Sequence, residues 1–385
     1  MRRRREGPAV YFPPVHVYLH VPFCQRRCSY CDFSIAVRKT IPAREYVAAI
    51  QAEARGASRA RAGTSPTIYF GGGTPSLLPP DAIASLLTDL LAAAPDGSAL
   101  EAFEVTLEAN PEDVTPERAS AWRRAGVNRV SLGAQSFDDR VLQWMHRVHD
   151  AAKIGEAVRT LRGAGFDNLS VDLIFALPEE LGRDWRRDLD LAAALGAEHL
   201  SLYGLTVEER TPLARWVSRG AAAPAGDDRY ADEYLLAHER LAAAGYAFYE
   251  VSNAARPGRV SRHNSAYWTG QPYRGLGPAA HSFDGTRRSW NRRAWEDYRR
   301  AVTAGESAVE SEEVLTPEQR GLERVYLGLR TRAGLPEELV PADRRSAWAS
   351  AGWAALEDGR VRLTPEGWLL LDVLVGDLTA GARIL

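Results

Sequence analysis

Six alternations of a short apolar strand with a helical stretch predict an α/β protein whose core is a partial (β/α)6 open, TIM-like barrel. A mostly helical, winged-helix-like C-terminal domain is expected to follow it. Three observations carry this reading. The alternation is regular from residue 15 to residue 205, candidate ligand residues recur at strand carboxyl ends, and the pattern changes after Trp295 to helix, helix, short hairpin and helix. Parallel sheets place their sites at strand carboxyl ends. Six repeats leave a barrel open on one side, whereas eight would close it. The expected organisation is a basic tail over 1–14, the core over 15–226, an extension over 227–294 and the C-terminal domain over 295–385.

Residues Val15 to His20 are β-branched and aromatic and form the first strand, leading into a loop that carries Cys24, Cys28 and Cys31. Ala43 to Ala62 is helical in composition, and Thr67 to Phe70 is the second strand. Gly71-Gly72-Gly73-Thr74-Pro75 follows at once; by itself it reads as a turn, though glycines there also let a backbone approach a ligand. A helix from Asp81 to Ala94 leads to the strand Ala102 to Glu108, and a helix from Pro116 to Ala125 leads to the strand Asn128 to Ala134. Glu108 and Gln135 thus fall at strand ends. The next helix is expected to carry Trp144 to His149, including Arg147.

A helix over Ala151 to Ala164 ends at Gly165 and gives way to the strand Asn168 to Phe175. That strand contains Asp172, and an acid inside an apolar strand is costly unless paired, so it reads as a ligand or ion-pair residue. The helix Trp185 to Leu195 and the strand His199 to Leu205 complete the sixth repeat, with Thr206 just past its end. Residues 207–226 read as a connector, and Asp228 to Ala244 as a helix. Between Phe248 and Asn291 glycine and proline interleave with aromatics and histidines, a composition that suits the wall of a flat pocket better than a regular helix.

Cys24, Cys28 and Cys31 are all the cysteines in 385 residues. A disulfide would strand one thiol, and the cysteine-poor remainder argues against an oxidising compartment. Zinc completed by His20 is an alternative, but structural zinc usually draws ligands from two separated knuckles and no second one exists. The spacing favours a 4Fe-4S cluster held by three thiolates, with one iron left open.

A net charge of -2 provides no field for nucleic acid. The start Met1 to Glu6 is basic without a following apolar segment, so it reads as a solvated tail rather than a signal or transit peptide. The longest apolar run, near the C-terminus, is broken by Asp372 and Asp377, so no transmembrane segment is expected, and the expected location is the cytoplasm.

Cys-x3-Cys-x2-Cys after a strand ending in His20-Val21-Pro22-Phe23, with Tyr30 before the third cysteine, resembles the radical S-adenosylmethionine superfamily. The resemblance implies that the open iron chelates the amino and carboxylate groups of S-adenosylmethionine and that one electron releases a 5'-deoxyadenosyl radical. It also implies cofactor contacts at Tyr18, Tyr30, Gly72, Gly73, Thr74, Glu108, Gln135, Arg147, Asp172 and Thr206. Arg147 is the expected partner of the cofactor carboxylate, through a charge-assisted fork.

The runs Tyr249-Glu250-Val251-Ser252-Asn253, Ser261 to Trp268, Gly275 to Ser282, Leu327 to Leu335 and Arg362 to Trp368 resemble the oxygen-independent coproporphyrinogen dehydrogenase family, and within it a heme chaperone group. Phe33 stands where the dehydrogenases carry a further cysteine, and 23 residues precede Cys24 where they have a longer extension. The His-Asn-x-x-Tyr-Trp run implies heme contacts at His263, Asn264, Tyr267 and Trp268; His263 is either an iron ligand or a structural histidine capping a turn. The implied function is to bind heme and pass it to an acceptor protein, with a flavodoxin- or ferredoxin-type electron donor if radical chemistry occurs. The alternatives are coproporphyrinogen III dehydrogenation and a radical methyltransferase. Two departures stand out: Ala176-Leu177-Pro178-Glu179 replaces the family's Gly-Leu-Pro-Gly, and Ala279 replaces a glycine of the Gly-Pro-Gly-Ala-His loop.

Overall fold

A computed structural model describes residues 16–55, 66–92 and 102–379. The expected tail, and the predicted helix ends at 56–62 and 93–94, lie outside the described residues. The core is one twelve-stranded sheet. Its six central strands are β1 (His16–Val21), β2 (Thr67–Gly72), β3 (Glu104–Ala109), β4 (Arg129–Gln135), β5 (Leu169–Phe175) and β6 (His199–Gly204). They are parallel and lie in sequence order, as a run of strand–helix crossovers requires.

The sheet does not stop at six strands. The stretch expected to be irregular forms β7 (Ala247–Glu250), β8 (Asn253–Ala255), β9 (Tyr273–Leu276), β10 (His281–Phe283) and β11 (Arg287–Asn291). From the expected C-terminal domain, β12 (Val309–Val314) joins the same sheet. The order is β12-β11-β10-β9-β1-β2-β3-β4-β5-β6-β8-β7. On one flank β9 runs parallel to β1 and β10 to β12 continue antiparallel; on the other, β8 and β7 pair antiparallel beyond β6. These strands are short and broken by Gly and Pro, and unpaired edges of the parallel core supply the hydrogen-bonding partners that fix them.

The helices α1 (Ala43–Arg55), α2 (Pro80–Ala92), α3 (Pro116–Ala125), α4 (Asp139–Trp144), α5 (Ala151–Gly163), α6 (Trp185–Ala194), α7 (Pro212–Ser218), α8 (Asp227–Ala243), α9 (Arg262–Trp268), α10 (Trp295–Thr303) and α11 (Pro317–Arg330) are followed by α12 (Ala342–Ser350), α13 (Pro365–Leu369) and α14 (Leu371–Thr379). Successive helices α1, α2, α3 and α5 pack side by side over the sheet, with α10 against α1 and α6 against α8. Local chemistry sets their ends. In α3, Thr115 Oγ1 accepts from the Arg118 amide, Pro116 fills the first turn, and Gly126 at φ 109° stops the helix.

Helix α4 is shorter than expected. It ends at Trp144, and His146 at φ 59° turns the chain, so Arg147 lies on a loop rather than on a helix. The last unit is built from α11 to α14 and a three-stranded antiparallel sheet of Leu335–Pro336, Arg360–Leu363 and Ala354–Glu357.

Candidate active site and lateral cavity

The three cysteines lie on a loop tied at its base by a short parallel pairing of Phe23–Cys24 with Ala36–Val37. Its middle is pinned from both sides: the Ser29 amide donates to Met145 O at 3.1 Å, and Ser29 O accepts from the Leu213 amide at 2.8 Å. Thr74 Oγ1 donates to Cys24 Sγ at 3.3 Å, and Arg147 Nη1 to Cys28 Sγ at 3.6 Å. Burial pushes Cys24 up to about 12 and Cys31 up to about 11, so both thiols hold their protons until a metal displaces them. Among the described residues no three Cys, His, Asp or Glu side chains converge to hold a single metal ion. His20, the fourth ligand of the zinc alternative, has its ring nitrogens engaged with Ser34 O and Tyr18 Oη, whereas a cubane needs only the three thiolates.

Facing the thiols is a cavity of about 470 Å³ at the carboxyl ends of the central strands. Of the residues assigned to the cofactor, Tyr30, Gly72, Gly73, Thr74, Glu108, Gln135, Arg147, Asp172 and Thr206 all line it, as do the three cysteines. Strand-end position explains this convergence: each βα turn delivers its first residues to the same end of the sheet.

The glycine loop is constrained by close approach. A Cβ on Gly73 would sit 2.9 Å from Cys24 Sγ, and Gly72, at φ +115°, would place one 2.7 Å from the His20 ring. The Gly72 amide and Tyr69 Oη donate to the two oxygens of Glu108 at 3.0 and 2.9 Å. Burial, reinforced by the Asp172 charge, still pushes Glu108 up to about 7, against those hydrogen bonds. Asp172 accepts from Ser131 Oγ at 3.1 Å and Ser170 Oγ at 3.3 Å, and burial raises its pKa despite them. It is paired by hydroxyls rather than by an ion.

Arg147 Nη2 donates to Asn110 Oδ1 at 2.6 Å and Gly133 O at 2.8 Å, while its Nε is buried without a partner. A fixed guanidinium with a free donor beside the thiols fits an anionic group such as a carboxylate. The donor set therefore fits both a cluster and an amino acid head group. When bound, the cluster would supply a low-potential electron and an open iron; Cys24, Cys28 and Cys31 would hold it and Arg147 would orient the anion.

Tyr18 is not among these residues. Its ring stacks on Tyr69, on the same face of the sheet as Glu108, and borders a second, larger cavity of about 1240 Å³ on the side of the sheet. This lateral cavity is walled by Tyr18, Tyr267, Trp268, Tyr273, Phe283 and Trp290, with Leu322, Tyr326 and Val375 from the C-terminal helices. Asp32 and Phe33, immediately after Cys31, line both cavities.

Tyr267 and Trp268 line this space, but His263 and Asn264 do not. His263 is 1% exposed and lies behind Tyr267, between Thr67 and the Tyr69 ring. Both of its nitrogens are engaged, Nδ1 with Thr67 Oγ1 at 2.6 Å and Nε2 with Tyr267 Oη at 2.8 Å. In this arrangement neither nitrogen of His263 faces the lateral cavity, and the residue ties α9 to the sheet. Asn264 serves through its backbone, the amide donating to Ser261 Oγ at the helix start.

Sequence reasoning missed Asn110, Ser131 and Tyr203 in the first cavity, and the contribution of α11 and α14 to the second. Asn110 carried a signal, a strand-end position before Pro111; the helical residues carried none.

The motifs spread through the second half of the chain meet in space. Arg330 pairs with Glu250 at 2.7 Å and lies 4.2 Å over the Trp268 ring, while Trp368 Nε1 donates to Leu329 O at 3.0 Å.

The parallel strand–helix core with three thiols at its mouth defines a radical S-adenosylmethionine protein, and the Radical SAM superfamily model matches residues 18–192. The heme chaperone HemW of Mycobacterium tuberculosis is 40% identical over 375 residues, 95% of each chain. The heme chaperone HemW of Bacillus subtilis is 32% identical, covering 83% of this chain and 84% of its own. Coproporphyrinogen III oxidase (HemN) from Escherichia coli shares the fold, with TM-score 0.77 at 20% identity over 96% of this chain and 91% of that one. The chain belongs to the radical SAM superfamily and, within it, to the family of the heme chaperone HemW.

Proposed function

We propose that this protein is a heme chaperone that binds heme and transfers it to an acceptor protein, carrying a [4Fe-4S] cluster and S-adenosylmethionine. The observation that carries the reading is the shared wall. A thiol-lined cavity suited to the cluster and S-adenosylmethionine abuts an aromatic cavity large enough for a flat macrocycle, and only Asp32 and Phe33 are common to both. Cys24, Cys28 and Cys31 hold the cluster. Tyr30, Gly72, Gly73, Thr74, Glu108, Gln135, Arg147, Asp172 and Thr206 surround S-adenosylmethionine, and Tyr267 and Trp268 contact heme.

The C-terminal unit serves as a docking module rather than a nucleic-acid reader. Several of its arginines are paired with carboxylates, Arg344 with Asp377, Arg345 with Glu337 and Arg362 with Glu357. No helix among the described residues is long and apolar enough to cross a membrane. The proposed location is the cytoplasm, where thiols stay reduced and a flavodoxin- or ferredoxin-type donor can reach the cluster.

Anaerobic reconstitution with iron and sulfide, followed by hemin titration and then by coproporphyrinogen III with S-adenosylmethionine and reductant, tests the reading. Saturation at one heme per chain without formation of protoporphyrinogen is expected. Robust conversion of coproporphyrinogen would install the dehydrogenase reading instead, since a tetrapyrrole substrate would occupy the same lateral cavity; a methylated aromatic product would install the methyltransferase.

A further inference from the structure

We propose that His281 supplies the protein's axial ligand to heme iron in the lateral cavity, an inference that rests on the reading of that cavity as the heme site. All eight histidines lie in the described residues, so the candidates can be compared one by one. His16 is bound to Thr67 and Gln271, His149 to Glu112 and Ala134 O, His199 to Ser170 and Tyr249, and His263 to Thr67 and Tyr267. His238 is stacked on Phe248 with ring centroids 3.6 Å apart, away from the cavity, and His146 lines the thiol cavity instead.

Two histidines border the lateral cavity. His20 is buried, with Nε2 on Ser34 O at 2.9 Å and Nδ1 on Tyr18 Oη at 3.2 Å. His281 is exposed, and among the described residues its ring nitrogens take no hydrogen bond. Its ring stacks on Trp290, its cross-strand neighbour, at 5.9 Å between centroids and 27° between planes. That contact limits the rotamers of the imidazole while leaving its nitrogens open, as an iron ligand requires.

The backbone is placed by the same motif. Gly275 lies so close to His281 that a Cβ there would meet His281 O at 2.2 Å, and the Asn291 amide donates to Ala280 O at 2.9 Å. The glycine and the hairpin together hold His281 against β9. Partial burial lowers its pKa, which keeps a lone pair available at neutral pH.

The test compares wild type, His281→Ala, His281→Met and His263→Ala as full-length, cluster-reconstituted protein, titrated with hemin and read by absorption, electron paramagnetic resonance and resonance Raman spectroscopy. Wild type is expected to show imidazole ligation. His281→Ala loses that signature, binds heme about tenfold or more weakly and regains the signature on addition of imidazole. His281→Met takes on a thioether signature, and His263→Ala keeps imidazole ligation. Retention of the wild-type spectrum and affinity in both His281 variants would overturn the assignment while leaving the chaperone reading intact. Absence of specific heme binding in wild type would overturn the chaperone reading itself.

Discussion

Tyr267 Oη lies 2.8 Å from Nε2 of His263 and donates to it, at one end of a chain of side chains whose two ends, Tyr267 and Gln271, both line the lateral cavity. His263 Nδ1 donates to Thr67 Oγ1, Thr67 donates to His16 Nδ1, and His16 Nε2 donates to Gln271 Oε1. This single direction of donation satisfies every atom with both histidines neutral, and burial lowers the pKa of each. The histidine of that sequence run thus builds a support, and what the run presents to the cavity is Tyr267 and Trp268.

His263→Ala leaves Tyr267 Oη without its partner and takes from Thr67 Oγ1 one of its two, and is expected to cost about 3 kcal/mol of stability. Asn264→Ala, which removes no side-chain hydrogen bond seen here, is expected to cost less than about 0.5 kcal/mol. Urea unfolding of the two variants checks the contrast, and equal losses would contradict the support role.

Arg330 joins three motifs by pairing with the fully buried Glu250 and covering Trp268. Arg330→Met strands that carboxylate, and a destabilisation of about 3–5 kcal/mol is expected. Thermal melts measure the loss, and Glu250→Gln combined with Arg330→Met should recover part of it, because the uncompensated charge is then gone.

Ala176 and Ala279 sit at φ 56° and φ 58°, each at a position where the family pattern has glycine. A left-handed conformation costs an L residue about 1 kcal/mol or more relative to glycine. Ala176→Gly and Ala279→Gly are each expected to raise stability by about 1 kcal/mol in denaturant titrations; a loss in either would show that the Cβ contacts outweigh the strain.

His199 is buried between Ser170 Oγ and Tyr249 Oη, both at 2.8 Å, and burial lowers its pKa well below 6.5. It is neutral in the fold but charges in the open chain. Its contribution is therefore full above about pH 6.5 and is lost as the pH falls below that value. Between pH 6.5 and 5.5 wild type is expected to lose about 1 kcal/mol more than His199→Gln. Unfolding curves across that range would decide, and parallel pH profiles would remove His199 from the titration.

The local rules of chain chemistry were legible from residues alone. Alternating strands and helices from His16 to Gly204, the three-cysteine loop and the ligand residues at strand ends follow from turn residues, side-chain periodicity and the crossover geometry of parallel sheets. Cys24, Gly73 and Glu108 could be placed together because each follows a strand of the same parallel set.

Only the tertiary structure decided which side chains meet across the added strands. His16 pairs in register with Tyr273, and the flank of strands added there brings Tyr267, His281 and Tyr326 to a common wall with Tyr18. Whether an imidazole faces a cavity or is spent on two buried hydrogen bonds depends on neighbours brought from distant segments, Thr67 for His263 and Trp290 for His281. Sequence determined the cluster loop and the order of the barrel because those are local preferences repeated along the chain. The fold decided the aromatic wall of the lateral cavity, because contacts between remote residues are fixed by sheet order and packing.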